Sequence, residues 1–181
     1  MTNPDDIYDQ WLVLRIQDGD RTALTELVNR WQPRLFRQAK RLVEQTNEAD
    51  EVVQTSWLAI VRGIGRLHDP ACFRRWAYQI VTNKCAEWVR DRQKQRVISG
   101  KLAAEPAAES SLSEEQDDIR LLRHSLRELP DSQRAVLSMH YLEGMSLEEM
   151  AQVLSVPVGT IKSRLYHARK KLKHILERND K

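Results

Sequence analysis

Few residues in this chain can staple, kink or anchor a protein. Of its 181 residues only two are cysteine, Cys72 and Cys85. Neither has the neighbouring His or Cys that a zinc site needs, so both are expected to be buried small hydrophobes in a reducing compartment. Six Gly and six Pro leave little punctuation and fit a helical protein of one or two domains. No stretch approaches the roughly eighteen apolar residues of a membrane span, so no membrane insertion is expected. Asp5, Asp6 and Asp9 near the start argue against a signal peptide, and a cytoplasmic location follows. The five histidines, His68, His124, His140, His167 and His174, are scattered. No nucleophile–base set, metal spacing or phosphate-binding glycine motif accompanies them. An enzyme is therefore the least favoured class, and no cofactor or metal is expected.

Acidic residues are missing where basic ones crowd. From Pro157 to Leu176 there are six Lys or Arg (162, 164, 169, 170, 171 and 173) and no Asp or Glu. The formal net charge of +3 hides this pattern. Residues 34–101 hold fourteen basic against seven acidic side chains, whereas residues 102–118 hold six acidic and no basic ones. The segment from about Val97 to Gln116, with Ser99-Gly100, Glu105-Pro106 and Ser110-Ser111, has the composition of a flexible linker. Two basic blocks are thus joined by a strip whose own charge keeps it off polyanions.

The second block has the pattern of a helix-turn-helix. Ser146 is an N-cap and Glu149, three residues on, completes a capping box. Leu147, Met150, Ala151 and Leu154 give one helix a buried stripe. Pro157 suits the first turn of the next. In that second helix Ile161, Leu165, Ala168, Leu172 and Ile175 share one side. Lys162, Ser163, Tyr166, His167, Lys170 and Lys173 lie on or toward the other. Clustered cations repel one another unless a polyanion answers them, and the phosphate backbone of DNA is the natural one. Lys162, Ser163 and Tyr166 are placed for base edges; Arg169, Lys170 and Lys173 for phosphate. Upstream, Pro130-Asp131 opens a helix with an apolar run at Leu137, Tyr141 and Leu142, which Glu143-Gly144 closes. Leu121, Leu122, Leu126 and Leu129 mark one more.

The first half predicts four helices. Asp20 caps one carrying Ala23, Leu24, Leu27, Val28 and Trp31. Another follows Pro33, with Leu35, Phe36, Ala39 and Leu42. A third carries Ala49, Val52, Val53, Trp57, Ile60 and Val61 and stops near Gly63 and Gly65. Asp69-Pro70 starts a long fourth helix. There Phe73, Ala77, Ile80, Val81 and Trp88 face one way, Arg75, Gln79, Asn83 and Arg90 the other, and the end is basic with Arg90, Arg92, Lys94 and Arg96, a front expected to contact a phosphate backbone. Trp11, Trp31, Trp57 and Trp76 sit at apolar positions and are expected in the core. The Arg62–Ala71 loop is short and irregular, of the kind that can hold an unstacked base; His68 and Asp69 are its first candidates.

Two motifs carry a resemblance to a known family. The stretch Ala49-Asp50-Glu51-Val52-Val53-Gln54-Thr55-Ser56-Trp57 parallels Ala-Glu-Asp-Leu-Val-Gln-Glu-Thr-Phe, and Phe73, Trp76, Ala77, Ile80, Asn83 and Arg90 follow at the same family's spacing. Downstream, Leu129-Pro130, Tyr141-Leu142-Glu143-Gly144 and Pro157 through Leu165 with Ala168-Arg169 fit the family's second signature. The chain resembles an extracytoplasmic-function sigma factor of the sigma-70 group from about Ala23 to Leu176. The resemblance implies an all-α chain of two small helical domains: region 2 over residues 10–96, a flexible acidic linker over 97–118, and region 4, a helix-turn-helix, over 119–178. It implies a partner, core RNA polymerase, docked through Asp50, Glu51 and Gln54. It also implies a single-stranded −10 element met by His68, Asp69, Arg75, Asn83 and Arg90. The duplex −35 element falls to Lys162, Ser163, Tyr166, His167, Arg169, Lys170 and Lys173. Many members are held by an anti-sigma factor, and others are under different control. A helix-turn-helix regulator that binds duplex DNA without joining a polymerase is the alternative; it leaves the first domain and the linker without a purpose.

Overall fold

Helices and two short 3₁₀ turns are the only regular structure among the described residues. The computed structural model describes residues 4–43, 45–99, 121, 122 and 124–179. The chain divides into two units, Met1–Gly100 and Lys101–Lys181.

In the first unit α1 spans Pro4–Gln17, α2 Arg21–Leu42, α3 Thr46–Gly63 and α4 Phe73–Ser99, with 3₁₀ turns at Ile64–Arg66 and Pro70–Cys72. Asp20 caps α2 by accepting the Thr22 and Ala23 N–H groups at 2.8 and 3.2 Å. The two helices expected on either side of Pro33 are one, because Pro33 lies inside α2. A proline inside a helix costs about 3 kcal/mol. The buried stripe Ala23, Leu27, Trp31, Leu35, Ala39 and Leu42 stays in phase across it, and burial of each large side chain returns about 1.5–3 kcal/mol. Pro33 and Asn29, whose carbonyl loses its donor, are both exposed, so the missing bond falls on the solvent side of the helix.

α2 packs against α1, α3 and α4. At the centre the fully buried Trp31 meets Phe73 edge-on at 5.2 Å and Tyr78 at 5.8 Å. Helix α1 is an element that periodicity did not announce. It buries Leu12 and Val13 on one side and exposes Ile7, Trp11 and Leu14 on the other. Trp11, expected in the core, is 45% exposed; Tyr8 stacks on it and the Arg15 guanidinium covers it at 4.5 Å. Asp9 is buried, and its Oδ1 accepts from Arg30 Nε at 3.0 Å. Burial pushes this carboxyl up and Arg30 opposes the rise.

Two further residues depart from expectation. Glu48 is buried at the start of α3, accepts the Gln45 N–H at 3.2 Å and forms an ion pair with Arg92. Arg92, one of the cations expected to face a phosphate backbone, instead joins α4 to α3; a buried carboxylate demands such a partner. Cys85 is buried, but Cys72 is only half-buried. Helix α4 runs to Ser99, into the expected linker; the rest of that linker and the Arg96 side chain lie outside the described residues.

In the second unit residues 124–127 are helical. They precede α5 (Asp131–Tyr141), α6 (Leu147–Leu154) and α7 (Val158–Asn179). Helix α7 packs on α5 and α6. Val136, Met139, Met145, Met150, Val153, Ile161 and Ala168 form the innermost layer. Of the apolar run expected before the turn, Leu137 is buried while Tyr141 and Leu142 are exposed. Gly144 turns the chain with φ +62°. The predicted capping box is present: Ser146 Oγ accepts the Glu149 N–H at 3.1 Å, and Glu149 Oε2 accepts the Ser146 N–H at 2.8 Å. Met150 and Ala151 are buried as the stripe requires, Val153 joins them, and Leu147 and Leu154 are half-buried. Ser155 adopts the left-handed conformation, φ 53°, and its N–H closes the end of α6. The chain then re-enters helix after Pro157.

With only eight residues, α6 depends on its caps, since isolated helices this short do not persist. Replacing Ser146 by Ala should destabilise the second unit by about 1 kcal/mol, read as a lower urea midpoint. An unchanged midpoint would show the capping box to be idle.

Candidate nucleic-acid interface

The polar side of α7 is continuous. Ile161, Leu165, Ala168 and Ile175 are buried, so residues one position away turn outward. Lys162, Ser163, Tyr166, His167, Arg169, Lys170 and Lys173 are all exposed, and Arg164 is half-buried. Tyr166, 63% exposed, meets His167 edge-on at 5.3 Å. Lys162, Tyr166, Arg169, Lys170 and Lys173 come together with His140 of α5 around a shallow cavity of about 660 Å³; Ser163 and His167 are not among its lining residues. The Arg169 guanidinium lies 5.4 Å from the centre of the Tyr141 ring. Lys173 also reaches Glu177, at 3.6 Å. A surface of like charges along about three turns of helix concentrates potential, and long flexible side chains let it follow a phosphate backbone.

The first unit offers two surfaces. On α3, Asp50, Glu51 and Gln54 are exposed. At about 100° per residue they share one stripe with Leu58 and Val61, which are 56% and 46% exposed. Val61 was expected inside with Ile60. The stripe is thus acidic at one end and apolar at the other.

The second surface begins at the Arg62–Ala71 loop. Three contacts hold its backbone. Gln17 Nε2 of α1 donates to the Ile64 carbonyl at 3.0 Å and to the Leu67 carbonyl at 2.8 Å. Gly63 lies against the Trp76 indole so closely that a Cβ would stand 2.8 Å from Cζ2. Asp69 caps the second 3₁₀ turn, its Oδ1 accepting the Ala71 N–H at 3.0 Å and its Oδ2 the Cys72 thiol at 3.1 Å. Those two bonds, the thiol's first, hold the Asp69 carboxyl below the usual carboxylate range. Arg75 donates to Cys72 Sγ at 2.8 Å. His68 is exposed at the loop, and Asn83 and Arg90 are exposed along α4. Arg90 Nε donates to the Ala86 carbonyl at 3.2 Å. The candidate residues do not converge on one pocket. Arg75 and Arg90 are separated by about 22 Å of helix at 1.5 Å per residue, a track rather than a point. Among the described residues no group of three or more His, Cys, Asp or Glu side chains is placed to hold a metal ion, and no helix is long and apolar enough to cross a membrane.

Residues 27–95 match the family described as Sigma-70 region 2, and residues 119–172 match Sigma-70, region 4. The chain belongs to the sigma-70 family. It is of the extracytoplasmic-function type. The ECF RNA polymerase sigma-E factor of Haemophilus influenzae is similar to it, 27% identical over 94% of this chain and 96% of its own. Among solved structures, CnrH in complex with the cytosolic domain of CnrY has a TM-score of 0.71 at 24% identity, over 94% of this chain and 97% of that one. The sigma factor RpoE in complex with the anti-sigma factor NepR, from Bartonella quintana, has a TM-score of 0.70 at 23% identity, over 85% and 96%. Both show the fold.

Several residues that shape this sigma factor's surfaces carried no signal in the sequence. Gln17 acts through two hydrogen bonds across the fold, and Cys72 through two local ones, to Asp69 and from Arg75, which no periodicity encodes. Leu58 had only its place on the polar side of α3 to mark it. Tyr141 was hidden in an apolar run. The loop makes one clear demand. Gly63→Ala should push the Trp76 ring aside and cost about 1–3 kcal/mol, with Trp76→Phe in the same chain restoring part of the loss. Equal melting temperatures for Gly63→Ala and the wild type would show that the ring yields freely.

Proposed function

We propose that this sigma factor docks on core RNA polymerase through the α3 stripe and carries it to promoters read at two separated elements. As a sigma factor it binds core polymerase and promoter DNA through regions 2 and 4 and does no chemistry of its own. The observation that carries the division of labour is the pairing of one acidic–apolar stripe with two basic faces, each on a different helix. Asp50, Glu51 and Gln54 supply polar specificity, while Leu58 and Val61 supply apolar area that gains from being covered. Arg75, Asn83 and Arg90 follow one strand of an opened −10 element along α4, and His68 meets a flipped base at the loop. Asp69 supports it by fixing the loop backbone. Lys162, Ser163, Tyr166 and His167 enter the major groove of a duplex −35 element, with Arg169, Lys170 and Lys173 toward phosphate. Binding energy, not catalysis, compensates for unstacking the captured base. A subunit of core polymerase acts where transcription occurs, and the cytoplasm is the location that goes with this reading. An anti-sigma factor belongs among its partners; the complex of the similar RpoE with NepR supports that reading.

The deciding experiment is reconstitution with core polymerase followed by start-site mapping. Promoter-specific starts that require the chain are the expected result; duplex binding without them would leave a conventional regulator. Within the same assay, Asp50→Lys with Glu51→Lys should weaken core binding by about 1–3 kcal/mol, the range for interfacial charges. Binding of a −35 duplex should stay intact. Undiminished core affinity would move the docking surface elsewhere.

A further inference from the structure

Tyr141 belongs to α5, outside the reading helix, and its sequence context is that of a core residue. It is nonetheless 59% exposed. Its ring is held on one side by His140, edge-on at 4.9 Å, and His140 Nδ1 in turn lies 3.3 Å from the Met145 carbonyl oxygen. The Arg169 guanidinium lies 5.4 Å from the ring centre, inside the distance at which a cation is drawn to an aromatic face. Arg169 lines the cavity between the end of α5 and α7 together with Lys162, Lys170 and Lys173, and no carboxylate shares that lining. A lining that holds four cations, of which Lys173 also meets Glu177 at 3.6 Å, is complementary to an anion, and a volume of about 660 Å³ suits a phosphodiester with its flanking sugars.

We propose that Tyr141 is a positioning residue for DNA binding: its ring holds Arg169 at the rim of this cavity, which seats a backbone phosphate of the duplex. The proposal rests on the reading of α7 as the duplex-reading helix. An unrestrained arginine surrenders much rotamer freedom when it grips a phosphate, and one already laid on a ring surrenders less. Repulsion from Lys162, Lys170 and Lys173 would otherwise drive the guanidinium outward into solvent. The ring thus keeps a cation where other cations would not leave it, and the benefit is independent of base sequence because phosphate carries none.

The test uses the full-length chain and a fluorescein-labelled mixed-sequence duplex, titrated by anisotropy at several salt concentrations. Tyr141→Ala should weaken binding about two- to fivefold, the equivalent of an exposed cation–π contact. It should also reduce the slope of log K against log salt by up to about one, as though a cation were lost, although tyrosine is neutral. Tyr141→Phe should keep wild-type binding. Tyr141→Leu, which retains apolar bulk but no ring, should behave like Ala; a merely structural side chain would be rescued by it. In an Arg169→Ala background Tyr141→Ala should have no further effect. An equal loss with and without Arg169, an unchanged salt slope, or rescue by Leu would each overturn the proposal. Lys170→Ala separates the two levels. If it too leaves binding and slope unchanged, the duplex-reading face itself is wrong. If it weakens binding while Tyr141→Ala does not, only the role of Tyr141 falls.

Discussion

The first unit is organised around one indole. Trp31 sits at the middle of α2, which like α4 touches all three other helices, and its ring meets Phe73 and Tyr78 edge-on. Those two residues lie in the first two turns of α4. The contact therefore fixes where α4 begins, and with it the loop that must end there. Large buried aromatics contribute more area than any other side chain, and this one spends that area on the junction that positions the proposed strand-reading track. Its location two residues before Pro33 also explains why α2 tolerates an internal proline: both ends of the helix are pinned to the same core.

Much of this was legible in the sequence, for physical reasons that also mark where legibility ends. Amphipathic period places the buried faces of α2, α3, α6 and α7, because burial on one side leaves a one-sided pattern. The Ser146–Glu149 cap was visible because its two halves are three residues apart and bond only to each other. Helix α1 was missed since it is apolar on two sides, Leu12 and Val13 inward, Ile7, Trp11 and Leu14 outward, so its period cancels. Pro33 misled because propensity is local whereas the stripe that overrides it runs twenty-two residues. Arg92 and Tyr141 misled in opposite directions. The one is a cation taken up by a buried carboxylate, the other an aromatic left in solvent beside a cation. Both depend on a partner far away in sequence, which composition and spacing do not contain.

The two surfaces proposed to face DNA are supported differently. In the second unit a packed apolar back holds α7 rigid, and its front is free to be all charge. In the first unit the loop is anchored by the buried Ile64 and by Trp76 against Gly63, and hydrogen bonds to its backbone add to that hold: Asp69 from within, Gln17 from α1. A loop braced at its carbonyls and N–H groups can vary its side chains without changing course, which suits a segment that must present different chemistry to different strands.

The Gln17 brace has a consequence for anyone dividing this protein into pieces. The region 2 match begins at residue 27, and a fragment started there discards all of α1. The Asp9–Arg30 pair and the Gln17 bonds to Ile64 and Leu67 would go with it. Such a fragment keeps every residue of the recognisable motif and exposes the α2 surface that Leu12 and Val13 had covered. It would bring to the strand a loop whose backbone wanders, and weak binding by that fragment would measure a missing splint instead of a missing affinity.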